Sequence, residues 1–153
     1  MLYKSYLIEQ NFNTLKSDIT LFYGENIGLK KEFKDLIKFN NKNKEIIKFL
    51  QDQILKNKNI LFNEINNTSL FEKEKIILID NADDKILETL KEIEDKSYDI
   101  KIYIFSEIFE KKSKIRSYFE KSKKYGIVPC YQDNEIGLKK IISNKLIGYE
   151  GLT

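Results

Sequence analysis

Apolar residues in this chain follow two alternating rhythms. Five short β-rich runs occur at 19–23, 45–49, 75–79, 101–105 and 127–131. Within them "IILI" and "IYIF" are uninterrupted apolar stretches, the pattern of strands buried on both faces of a parallel sheet. Between the runs lie "IGLKKEFKDLIKF", "LQDQILKNKNILFNEI", "KILETLKEI" and "SKIRSYFEKSKK", and "IGLKKIISNKLI" follows the fifth. In these segments apolar residues return every three or four positions, which predicts amphipathic helices. Strands that alternate with helices imply crossover connections, which are right-handed almost without exception. The expected fold is therefore a three-layer α/β domain built on a mostly parallel five-stranded sheet.

Length fits one domain with its own core, since 153 residues need no disulfide or metal staple. Pro129 falls in the last strand, where its missing N–H is best tolerated at an edge or a strand end. The sequence closes on the turn-like "GYEGLT" after an expected helix end at Gly148. Residues 1–147 are read as the domain, and 148–153 as the start of a truncated connection to a following helical domain.

Charge narrows the functional classes. A third of the residues are charged, yet 27 basic against 24 acidic residues leave a net charge of only +3, which predicts solubility without a dominant field for a polyanion. Arg116 is the only arginine, so the bidentate fork that clamps phosphate or reads guanine is nearly absent. There is no histidine, and Cys130 is the only cysteine, which excludes imidazole catalysis, thiolate metal sites and a disulfide framework. The N-terminal residues have charges breaking every apolar run and no cleavage pattern, and no apolar run reaches membrane-spanning length. A cytoplasmic protein with no membrane contact is expected.

The segment "LFYGENIGLKK" has the look of a phosphate-binding loop between a strand and a helix. Such a loop needs backbone N–H groups facing the phosphates, a lysine for the β- and γ-phosphates, and a Ser or Thr hydroxyl for magnesium. Gly24 and Gly28 are one residue too close together. With Gly24 and Lys30 in register, Leu29 takes the second glycine's place and Lys31 the hydroxyl's. The loop therefore reads as degenerate, and no cofactor is expected. Further on, "IILIDNADD" delivers Asp80 to the end of the third strand, where such folds place the acid that organises magnesium. The next residue is Asn81, which cannot serve as a base. Asp80, Asn81, Asp83 and Asp84 can equally form a solvated turn that caps the helix starting near Lys85. Ser106 ends the fourth strand, either as the remnant of a polar sensor position or as a helix N-cap.

The order of "YGENIGLKKEF", "SLFEKEKIILI" and "KKSKIRSYFEKSKKYGIVPCY" resembles the N-terminal domain of the delta subunit of bacterial DNA polymerase III, the clamp-loader wrench. The similarity runs from Leu21 to Leu146. It implies the fold of an AAA+ ATPase module, a P-loop-NTPase-like fold, without ATP binding or catalytic activity, inside a DNA polymerase holoenzyme. The implied partners are the sliding clamp (beta subunit) and other clamp-loader subunits, with DNA met only indirectly or weakly. In that family a hydrophobic pair before the third strand inserts into the clamp, and the matching residues are Leu70 and Phe71, next to Ser69. Two large apolar residues between "NNTS" and "EKEK" also have the composition of an exposed anchor with a polar rim.

Three other readings compete. A working nucleotide-binding NTPase module would need the loop to function despite Leu29 and Lys31. A lysine-rich DNA-binding domain is suggested by Lys111, Lys112, Lys114, Arg116, Lys121, Lys123 and Lys124, with Tyr118, Phe119 and Tyr125 interleaved. That cluster is also what one amphipathic helix with a solvated side and a core side produces. A generic flavodoxin-like or receiver-like domain is the third, and it would need more acid at the first strand's end than Glu25 supplies.

Overall fold

The computed structural model describes residues 1–67, 74–94, 100–107 and 110–131. The expected helix at 136–147, the connection at 148–153 and the residues Ser69, Leu70 and Phe71 lie outside them. The strands are β1 (Ile19–Tyr23), β2 (Glu45–Leu50), β3 (Lys75–Asp80), β4 (Lys101–Phe105) and β5 (Gly126–Pro129). The helices are α1 (Ser5–Gln10), α2 (Ile27–Asn40), α3 (Gln51–Lys56), α4 (Asn59–Asn66), α5 (Leu87–Glu94) and α6 (Lys114–Lys121). All strand pairs are parallel, and the sheet order is β2-β3-β4-β1-β5.

This order assigns the helices to faces. The chain runs from β1 to β2 in one direction across the sheet, and every later connection runs in the other. Right-handed crossovers then put α2 on one face and α3 to α6 on the opposite face. The two cores agree. Under α2 and α1, Leu29, Phe33, Ile37 and Ile8 pack on Phe22, Leu78, Tyr103, Phe105 and Val128. On the other face, Ile54, Leu61, Ile65, Leu90, Ile93, Ile115 and Phe119 pack on Leu21, Ile77, Ile79, Ile102, Ile104 and Ile127. The α2 face is rich in rings: Phe22 stacks on Phe105 with centroids 4.8 Å apart and meets Phe33 at 5.0 Å.

Several expectations are corrected in detail. The segment 50–65 is two helices, because Asn57 is extended and its side chain accepts the Asn59 N–H, which restarts the chain. The fifth strand stops at Pro129 rather than Tyr131. A strand end at proline is what the missing donor favours. The helix near Lys85 opens with a 3₁₀ turn at Asp84–Ile86, whose N-cap is Asp83 accepting from the Lys85 N–H. The short helix α1 was not expected. The residues before it add to the outer side of β5 through a parallel bridge between Leu2 and Ile127, with hydrogen bonds Tyr3 N to Ile127 O and Ile127 N to Met1 O, both 2.9 Å.

Candidate functional site

Ligands of open α/β sheets lie beyond the carboxyl ends of the strands, where adjacent strands send their connections to opposite faces. Here that point is the crevice between β1 and β4. Gly24, Glu25 and Asn26 follow β1, Ser106 and Glu107 follow β4, and Asp80 and Asn81 end β3. The fold thus brings together Gly24, Lys30, Asp80 and Ser106, residues separated widely in sequence. It separates Gly28 from the loop: α2 begins at Ile27, so Gly28 is helical.

Only three residues join β1 to α2. A phosphate loop needs a longer turn to wrap an anion in successive N–H groups. The donors of this short turn also have partners in the protein. Gly24 N–H donates to the Glu107 carbonyl at 2.5 Å, and Asn26 N–H to the Cys130 carbonyl at 3.0 Å. The Leu29 N–H donates to Asn26 Oδ1 at 3.0 Å, so the start of α2 is capped by its own asparagine. Gly24 has φ +124°, and a Cβ there would run into the Cys130 backbone. Its glycine character therefore serves close contact with the end of β5.

The cations are turned inward as well. Lys30 is buried, and its ammonium donates to the Ser106 carbonyl at 2.9 Å. Burial lowers its pKa, with Cys130 and Glu107 partly offsetting the effect. One turn along α2, Lys34 Nζ reaches both carboxylate oxygens of Asp80, at 2.9 and 2.7 Å, and lies over the Phe105 ring. A divalent cation at Asp80 would have to displace this ammonium. Asn81 adopts φ 54°, a left-handed turn conformation that asparagine tolerates.

The other polar residues of the crevice are tied into the scaffold. Ser106 Oγ donates to the Ala82 carbonyl, and the N-cap of the next described helix, α6, is Ser113. Asp83 accepts from Gln51 Nε2 at 2.9 Å and returns its N–H to Gln51 Oε1 at 2.7 Å, locking α3 to the end of β3. Asp84 leaves the crevice and caps α6, accepting from the Ser113 hydroxyl at 2.6 Å and the Ile115 N–H at 3.0 Å. Burial alone would raise its pKa, but these hydrogen bonds outweigh that and hold it below the usual value. The spacing of Lys30 and Lys34 puts both on one helix face, but the Lys34–Asp80 contact spans 46 positions and had no signal in the sequence.

The basic and aromatic cluster of 111–125 divides cleanly. Phe119 and Tyr125 are buried and Tyr118 is half-buried against them, while Lys111, Lys112, Lys114, Lys121, Lys123 and Lys124 are exposed. Arg116 lies over the Tyr23 ring and pairs with Glu120 at 2.7 Å. Phe119 and Tyr125 belong to the core, and Tyr118 packs against them.

No protein-family model matches this chain, and no curated protein matches it. Among the described residues no helix is long and apolar enough to cross a membrane. The α/β architecture with its five-stranded all-parallel sheet is what the coordinates establish.

Proposed function

We propose that this domain is an AAA+-like, P-loop-derived module that has lost nucleotide binding and acts as the clamp-binding domain of a clamp-loader subunit of the delta type. The observation that carries the non-ATPase half is the closed crevice: Lys30 faces the Ser106 carbonyl, Lys34 neutralises Asp80, and a three-residue turn gives the Gly24 and Asn26 amides to protein carbonyls. An ATP tail would have to break all of these at once. The clamp half rests on the sequence resemblance, with Leu70 and Phe71 as the anchor.

In this reading the sheet is a rigid mount. A domain that opens a ring must bind the open, strained form better than the closed one, because a ligand shifts an equilibrium only by its differential affinity. No catalytic residue is assigned. ATP-driven motion would come from other loader subunits.

Calorimetric titration of the protein with a bacterial sliding clamp, and separately with magnesium and ATP, tests both halves. Expected are clamp binding, loss of that binding in Leu70→Ala/Phe71→Ala with the circular dichroism spectrum unchanged, and no heat from ATP. Unchanged clamp affinity in the double variant, or ATP binding without clamp binding, would sink the proposal.

A further inference from the structure

One basic surface lies outside the crevice and outside the α6 cluster. Residues 30–48 hold seven lysines against three acidic residues, so this stretch carries more positive charge than the whole chain's net +3. Lys34, Lys38 and Lys42 follow one another at four-residue intervals down α2 and into the turn after it. Each step is about 6 Å along a helix. Lys48, on the edge strand β2, lies within reach of Lys38. Register confirms the arrangement, since Lys48 pairs with Leu78 and Leu78 belongs to the core under α2. Among the described residues Lys38, Lys42 and Lys48 have no carboxylate partner.

Two ammonium groups held together, with the nearby Asp80 already paired to Lys34, are an unfavourable arrangement that a further anion relieves. Contact with Lys38 lowers the pKa of Lys48, and Lys34 contributes in the same direction. Beside them stands an aromatic ring on the wrong side for the core: Phe39 is 66% exposed, and the Lys42 ammonium lies 4.5 Å from its centroid. An exposed ring flanked by lysines is the pairing that stacks an unpaired base while holding its backbone. The lysine spacing exceeds the about 3.4 Å rise of a stacked strand. It suits a strand drawn out with its bases unstacked.

We infer that the outer face of α2 with the adjoining edge of β2, through Lys38, Phe39, Lys42 and Lys48, binds single-stranded nucleic acid. The lysines contact successive phosphates and Phe39 stacks a base. No arginine is present here, so readout of base edges is not expected and binding is tolerant of sequence. This inference does not depend on the clamp reading, because the surface contains neither Leu70 nor Phe71.

Fluorescence anisotropy of the full chain with labelled oligothymidylate, oligouridylate and a DNA duplex tests it. Both single strands should bind, with the duplex weaker at equal salt. The triple variant Lys38→Gln/Lys42→Gln/Lys48→Gln should flatten the logarithmic salt dependence by about 2, as three phosphate contacts on a single strand predict. Phe39→Ala should weaken binding roughly 5- to 100-fold with the salt slope unchanged. The control Lys111→Gln/Lys112→Gln/Lys121→Gln removes as much charge and should leave affinity within about twofold. Equal losses in the two triple variants, preference for duplex, absence of binding, or Phe39-dependent capture of polyglutamate would each overturn the assignment. All variants are at the surface, and their circular dichroism spectra verify folding.

Discussion

Helices α2 and α6 have much the same ingredients, lysines mixed with aromatic residues, and the fold uses them in opposite ways. On α6 the rings of Phe119 and Tyr118 face the sheet side, and its lysines are solvated. On α2, Phe33 is inside, Lys30 and Lys34 are drawn into the crevice, and Phe39 is outside beside Lys42. Topology explains the difference. Among the described residues, helix α6 shares its face with three others, whereas α2 shares its face only with the six-residue α1 and leads directly out of the switch point. Composition alone could not say which lysine-rich helix presents an aromatic residue to solvent.

The sharpest way to break this comparison is to shorten the rings. Phe33→Ala and Phe119→Ala should each cost about 3–5 kcal/mol, because both side chains are fully buried. Phe39→Ala should fall within about 0.5 kcal/mol of the parent. Urea unfolding of the three variants decides it: a large loss from Phe39→Ala would mean that its ring packs on the protein.

A second contrast lies between Gly24, in the turn after β1, and Gly28, in the first turn of α2. Gly24→Ala should cost roughly 3 kcal/mol, since its Cβ meets the Cys130 backbone and its φ is positive. At Gly28 the nearest atom is Asn26 Oδ1 at 3.6 Å, so Gly28→Ala should stabilise by about 0.5–1 kcal/mol as a helical Gly-to-Ala change. Equal destabilisation in thermal melts would show that Gly28 belongs to the turn.

Alkaline pH acts more gradually, through two groups of the core under α2. Burial pushes the Cys130 thiol from 9.0 up to about 12 and Tyr103, on the α2 face, from 10.0 up to about 12. The unfolded chain loses these protons first, so the folded state binds more of them and stability falls as pH rises from about 9 towards 12. The slope approaches about 1.4 kcal/mol per pH unit for each group that titrates only in the unfolded chain. Cys130→Ala should remove the part that begins nearest pH 9, read from urea midpoints across the range. A midpoint that rises over that range would contradict the burial of both groups.

A small effect also belongs to Lys34. Its side chain is 30% exposed and that of Asp80 42%, so solvent screens the pair, and Lys34→Met should cost only about 0.5–1 kcal/mol. The informative readout is magnesium with ATP. If the crevice is closed by more than this one ion pair, Lys34→Met still produces no heat, and nucleotide binding on removal of Lys34 alone would reduce the closure to a single side chain.

Much of the scaffold was legible in the sequence because its strands are continuous apolar runs. Their starts match within a residue, and only β5 ends early, at the residue whose nitrogen has no hydrogen to give. The break between α3 and α4 was hidden because apolar spacing continues across Asn57. Helix α1 was hidden because six residues are too few for a periodicity. Strand order was not legible, since linker lengths do not tell β1 to skip past two strands before β2. At the site, Leu29 and Lys31 were the residues that made the loop read as degenerate. The contacts of Lys30 with the Ser106 carbonyl and of Lys34 with Asp80 were not legible, because they join positions 76 and 46 residues apart. Phe39 belongs to the apolar rhythm of "IGLKKEFKDLIKF", yet its ring is exposed, which the spacing alone did not reveal.

The central position of β1 has a consequence for how the chain is made. Ile19 pairs with Ile102 and Thr20 with Gly126, so β1 has neither neighbour until β4 and β5 have been translated. At about 5–20 residues per second, that wait is on the order of ten seconds. During it, "ITLFY" is an apolar segment with both backbone edges open, the kind that pairs with another chain when its own partners are absent. Ribosomes stalled before residue 101 would therefore release a fragment in which β2 and β3 can pair while β1 has no partner. Shielding those five residues in the interval should raise the yield of native protein.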